Sequence, residues 1–201
     1  TAIPVDQEGR PLMNAMMWMD ARSRKEMQEI NDTGHPVLDY CGKETSFEWM
    51  IPKALWIKRH RKDIYDVCYR IVDQLDWMNY QLCGEWSSSI CNTTCKWNYV
   101  SSMGGYQRDF FEQIGFEDYE EKLTMRVDKI GDPVGTIRPE LSEKYGFSRE
   151  MQIVQGGIDA HMAMFGLDVL KPGKLGVIMG TSFVHLCLSD EKPDMKGIWG
   201  P

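Results

Sequence analysis

Two kinds of segment are missing from this sequence of 201 residues: a long apolar run and a basic block. No stretch comes near the roughly 20 apolar residues that carry a helix across a bilayer, which excludes a helical membrane anchor within these residues. The opening residues lack the charged-then-apolar pattern of a secretory leader. Acidic residues outnumber basic ones, 30 to 23, for a net charge of −7. The densest basic stretch, Lys58-Arg-His-Arg-Lys62, falls in a helical pattern and reads as a solvated face. Neither nucleic acid nor a membrane is expected as a partner. Histidine is scarce, with 4 residues, and no His/Asp/Glu cluster has metal-ligand spacing, so a metal-dependent hydrolase has no basis and no metal site is predicted. There is no internal repeat and no low-complexity tract.

Cysteine is present but does not spell a disulfide framework. Six cysteines in a small secreted chain could make three bridges. Here Cys68, Cys83 and Cys187 sit in apolar periodic segments, so they read as buried free thiols of a reducing, cytoplasmic compartment. Cys91-x-x-x-Cys95 is a loose pair with no second pair near it, and no zinc site follows from it.

What is there suits a soluble globular chain of one or two domains, 42% hydrophobic and 26% charged. Its most informative stretch runs from Met151 to Ser182. A short apolar strand with Ile153 and Val154 meets Gly156-Gly157, then Asp159, then a helical segment from Ala160 to Leu170. Strand, glycine turn, acid and helix together can set one carboxylate at the mouth of a cleft. Asp159 as an ordinary helix cap is the competing reading. Two further strands are predicted, Leu175–Met179 and Phe183–Leu188, joined by Gly180-Thr181-Ser182. That turn gathers backbone N–H groups and two hydroxyls in one small volume, as a phosphate cradle needs, although a plain hairpin has the same pattern.

Upstream, Ala15–Met19 reads as a short strand leading to Asp20, with Asp20 either capping a helix Ser23–Asn31 or pairing with Arg22 beside a cleft-edge Trp18. A helix is predicted over Thr45–Arg61, starting near Ile51 because of Pro52, and a second over Lys62–Leu82 closed by Gly84. Trp56 and Trp77 read as core. Ser87–Lys96 is read as a hydroxyl-rich loop ending in one cation. Helical pieces follow at Gln107–Ile114 and Phe116–Leu123, a loop at Asp128–Pro139, and a short helix at Leu141–Gly146. Lys171-Pro-Gly173 is the likeliest linker.

Gly-Gly-Ile-Asp-Ala-His161 followed by Ile-Met-Gly-Thr-Ser182 resembles the FGGY family of sugar kinases. So, in order, do Trp18-Met-Asp-Ala-Arg22, Pro52-Lys-Ala-Leu-Trp-Ile-Lys58, Asp76-Trp-Met-Asn-Tyr-Gln-Leu-Cys-Gly84 and Cys91-Asn-Thr-Thr-Cys-Lys-Trp-Asn-Tyr99. The last is similar to the ribulokinase-like branch. The resemblance implies an α/β, ribonuclease H-like (actin/Hsp70/sugar kinase) fold, present in part. Residues 1–170 would be the later part of the N-terminal, sugar-binding lobe and 171–201 the opening hairpin of the C-terminal, ATPase lobe. It implies ATP-dependent phosphorylation of a pentulose such as ribulose, with ATP and Mg2+ and with a homodimer as an option. Asp159 would be the general base and hold the attacking hydroxyl. Lys96 and Trp18 would line the sugar site, and Gly180, Thr181 and Ser182 would hold the transferring phosphate. The family's Gly-x-Asp-x-Gly-Thr strand and its adenosine segment do not appear in these residues, so this polypeptide alone is expected to be inactive. The alternative is a non-catalytic sugar-binding or scaffold unit of an actin-like fold.

Overall fold

The structure is a computed structural model and describes residues 1–180, 183–191 and 195–199. In chain order its elements are β1 Ala2–Val5, α1 Arg24–Asp32, α2 Met50–His60, α3 Lys62–Tyr65, β2 Arg70–Asp73, α4 Gln74–Cys83, β3 Ser88–Ser89 and α5 Ile90–Lys96. There follow α6 Arg108–Gln113, α7 Tyr119–Lys122, β4 Val127–Asp128, β5 Pro133–Thr136, α8 Pro139–Tyr145, β6 Gln152–Val154, α9 Asp159–Gly166, β7 Leu175–Met179 and β8 Phe183–Cys187. Among the described residues no helix is long and apolar enough to cross a membrane.

The core forms around α2. Met50, Ile51, Ala54, Leu55 and Ile57 are all fully buried, and Ile71 of β2 and the aromatics Phe110, Phe111, Phe116 and Tyr119 close over them. Phe111 stacks on Tyr119 at 4.2 Å and meets Phe110 edge-on at 5.2 Å, the two arrangements that aromatic quadrupoles favour. Pro52 stands in the first turn of α2, where its missing N–H would have had no intrahelical acceptor. Lys58, Arg59 and His60 occupy the last turn, where the helix dipole favours cations.

The strands pair in twos among the described residues. β1 and β2 run antiparallel, Ala2 opposite Asp73 and Val5 opposite Arg70. β3 and β4 run parallel, β5 and β6 antiparallel with an irregularity between Pro133 and Gly135, and β7 and β8 form the expected hairpin with Met179 opposite Phe183.

Several expectations are corrected. The helix read over Lys62–Leu82 is α3, β2 and α4, because Ile71 and Val72 find a strand partner in β1 rather than a further turn. Ala15–Met19 is no strand; Met16 alone bridges to Ala2 and the rest turns. Asp20 does not cap α1, whose N-cap is Ser23; it accepts bonds from the backbone and guanidinium of Arg22 instead. Ser88–Lys96 is β3 and α5 rather than loop, and Asp128–Pro139 contains β5. Gly84 closes α4 as predicted, with φ +84° and its N–H on the Tyr80 carbonyl at 2.8 Å. Cys41 and Cys68 are buried free thiols, but Cys187 is exposed on β8.

Candidate active site

Asp159 is the first residue of α9, and the chain before it is tightly held. Gln155, at 1% exposure, ends the approach from β6. Its Oε1 accepts from Asn79 at 2.6 Å and its Nε2 donates to Ser87 Oγ at 3.1 Å. Its backbone N–H donates to the Asp132 carbonyl, and Ser89 Oγ donates to the Gly156 carbonyl at 2.6 Å. A Cβ at Gly157 would stand 2.8 Å from Met162 Cε and 3.2 Å from Cys91 Sγ, so the absence of a side chain there is what lets α9 come down on α5. The Asp159 side chain is exposed; its Oδ1 accepts the N–H of Ala160 at 2.8 Å. Ile158, not Asp159, is the N-cap of α9.

Lys96 ends α5. That helix forms in a hydroxyl-rich stretch because its threonines turn inward: Thr93 Oγ1 donates to the Ser89 carbonyl at 3.0 Å and Thr94 Oγ1 to that of Ile90 at 2.8 Å. Asn92 Nδ2 donates to Asp73 Oδ2 at 3.2 Å, and the other Asp73 oxygen caps α4 by accepting from Gln74 at 2.6 Å. Two helices are thereby locked through one carboxylate. Lys96 itself is half-buried and makes no hydrogen bond or ion pair with another described residue.

His161 joins the two sides and had no role assigned from sequence. Its Nδ1 lies 3.1 Å from Cys91 Sγ and 3.9 Å from Cys95 Sγ. Burial, then the Lys96 charge, lower its pKa, while Asp159 pulls it the other way. Burial raises the Cys91 thiol and pushes Cys95 up to about 12, so the cluster is a neutral imidazole among neutral thiols. The signal was available: Cys91 and Cys95 are one helical turn apart, and a His follows Asp159 by two. Among the described residues no group of three His, Cys, Asp or Glu is arranged to hold a metal.

Trp18 is half-buried on a turn that α2 holds from beneath. Arg22 Nη2 donates to Asp20 Oδ2 at 2.6 Å, and the guanidinium lies 4.5 Å over the Trp56 ring. The hydrogen bond from Arg22 holds the Asp20 carboxyl below the usual range. Lys96 and Asp159 thus both bear electrostatically on His161, and the Lys96 charge also bears on Lys53 beneath the Trp18 turn. Gly180 is exposed at the end of β7; Thr181 and Ser182 lie outside the described residues. A cavity of about 300 Å³ beside Phe47, Trp49 and Trp199 takes in neither Asp159 nor Lys96.

This α/β arrangement is that of the sugar kinases with the actin-like ATPase fold. The chain superposes on the ligand-bound xylulose kinase of Lactobacillus acidophilus with a TM-score of 0.79 at 15% identity, over 92% of this chain and 37% of that one. The glycerol kinase of Plasmodium falciparum with ADP gives 0.77 at 17% identity, over 91% and 37%. The chain belongs to the FGGY family of carbohydrate kinases: residues 1–166 match the family's N-terminal domain. It is 32% identical to a human FGGY carbohydrate kinase domain-containing protein, over 99% of this chain and 39% of that protein. It is 27% identical to the ribulokinase of Bacillus licheniformis, over 100% of this chain and 40% of that enzyme. The chain thus spans about two fifths of the length of these relatives.

Proposed function

We propose that this chain forms the sugar-facing part of a kinase that transfers a phosphoryl group from ATP to a hydroxyl of a pentulose or related sugar of the ribulose type. One observation carries the reading. Among the described residues, a half-buried ammonium without a hydrogen-bond or ion-pair partner, Lys96, and an exposed carboxylate, Asp159, stand on helices α5 and α9 that Gly157 lets touch. Phosphoryl transfer asks little covalent chemistry of the protein; it asks for a placed hydroxyl and a proton acceptor. Lys96 has three N–H donors for sugar oxygens. Asp159 accepts the proton as the sugar O–H bond breaks. The sugar oxygen bonds to the γ-phosphorus, the bond to the β-phosphate oxygen breaks, and ADP leaves. Trp18 borders the sugar.

In this reading residues 1–170 serve the sugar and 171–201 open a second, ATP-binding lobe, with Gly180, Thr181 and Ser182 toward the phosphates and Mg2+ arriving with ATP. The domain match over 1–166 and the exposed Lys171-Pro172-Gly173 support that division. In a protein of the relatives' length carrying this chain, Asp159→Asn is expected to lower kcat by about 10²- to 10⁴-fold while sugar binding persists. Turnover like the unmodified protein's would end the assignment. The chain's span of about two fifths of its relatives favours a second reading for the polypeptide by itself, sugar binding without turnover. Calorimetry of the 201-residue chain with ribulose, xylulose and ATP–Mg tests the readings: heat from a sugar and none from the nucleotide supports the sugar-binding part of a kinase, and heat from neither leaves a scaffold or protein-interaction role.

A further inference from the structure

Lys53 is the fourth residue of α2 and has no exposure at all. Lysine is almost never fully buried without a charged partner, since removing an ammonium from water costs several kcal/mol. Among the described residues no carboxylate lies within ion-pair reach of it. Its compensation is backbone. Nζ donates to the carbonyls of Asp20 and Phe47, each at 2.9 Å, and of Trp18 at 3.3 Å. All three N–H groups are used. The Phe47 carbonyl also accepts from Ser23 Oγ at 3.2 Å, which ties the start of α1 into the same knot. A methionine would fill this space with no desolvation cost. It could not hold three carbonyls at one point.

We infer that Lys53 is a positioning residue for sugar binding: by tying the Trp18 and Asp20 carbonyls to α2 it sets the sugar-facing turn that carries Trp18. The inference rests on the proposed sugar site. Asp159 stands on α9, and the hydrogen bonds that hold its approach come from Asn79, Ser87, Ser89 and Asp132, none of which touches this knot. Loss of the knot therefore reaches the affinity for sugar and spares the transfer step.

The test uses a protein of the relatives' length with Lys53→Met and, separately, Trp18→Ala. Lys53→Met is expected to raise the sugar KM about ten-fold or more with kcat within about two-fold, as for loss of hydrogen bonds from a charged donor. The unmodified protein supplies a second readout that survives if Lys53→Met fails to fold. Burial first, then the Arg22 and Lys96 charges, lower the pKa of Lys53 to about 8 against the opposing pull of Asp20 and Glu48. Above that pH a neutral amine has two N–H groups for three carbonyls, so the sugar KM rises from about pH 7 to about pH 9, and Lys53→Met abolishes the rise. A flat KM over that range in the unmodified protein overturns the inference, as does a folded Lys53→Met with unchanged KM while Trp18→Ala raises it. An unchanged KM in Trp18→Ala overturns the sugar site itself.

Discussion

Asp76 offers the sharpest test of the packing that underlies this lobe. It lies in the first turn of α4 at 2% exposure. Its Oδ2 accepts a hydrogen bond from Ser88 Oγ, and its Oδ1 has no partner among the described residues. Burial, and after it the nearby Asp73 charge, raise its pKa well above the ordinary carboxylate value. The folded state therefore holds a proton that the unfolded state releases near pH 4. Stability must fall as pH rises through the window between those two values, with a limiting slope of about 1.4 kcal/mol per pH unit for one proton. Asp76→Asn keeps the shape, keeps an acceptor for Ser88 and does not titrate. Urea unfolding of both proteins at unit steps from about pH 4.5 to about pH 7.5 gives the measurement. Stability of Asp76→Asn relative to the unmodified chain is expected to climb with pH and to favour the variant at neutrality. Parallel stability curves for the two proteins would show that Asp76 is ionised in the folded chain and that the reasoning is wrong.

Two other outcomes follow from contacts at the site. Gly157→Ala puts a Cβ 3.2 Å from Cys91 Sγ and 3.3 Å from its Cβ, a neighbour on a helix that cannot swing aside. A loss of about 1–3 kcal/mol is expected, together with a shifted His161 imidazole resonance; an unchanged resonance means α9 and α5 do not touch. With a thiol reagent near pH 8, exposed Cys187 is expected to react first, while Cys41 and Cys95, both pushed up to about 12 by burial, stay unmodified until the chain unfolds. Early modification of Cys95 in the folded chain would remove it from the interface with His161.

Much of this fold was legible locally, and its failures have one cause. The hairpin Leu175–Met179 with Phe183–Cys187 and the αL ends at Gly84 and Gly146 are set by residues within a few positions of each other. β2 is different. Ile71 and Val72 fit one more turn of an apolar helix as well as they fit a strand, and the partner that decides lies at Ala2–Val5. The same holds in reverse for α5. A run of small hydroxyl residues looks like a loop until Thr93 and Thr94 spend their hydroxyls on carbonyls of their own segment and Asn92 reaches Asp73. Trp18 reads as part of a strand and stands on a turn instead, and what holds that turn, Lys53, carries no mark of burial in the sequence, because a lysine on a helix is by default a surface residue.

The site residues stand apart from these for a physical reason. Polar groups inside the lobe are mostly matched: Lys53 by three carbonyls, Gln155 by Asn79 and Ser87, Asp73 by Gln74 and Asn92. Those left over inside, such as Glu26 Oε2, Thr45 Oγ1 and Asn98 Oδ1, are sealed from solvent and cannot meet a ligand. Lys96 and Asp159 are the contrary case. Each is anchored by a well-bonded stretch of backbone, each presents its charge where a solute can reach it, and both act on the same imidazole. In the proposed reading that difference is what the site needs: a polyhydroxyl ligand would take hydrogen bonds from Lys96 and give a proton to Asp159.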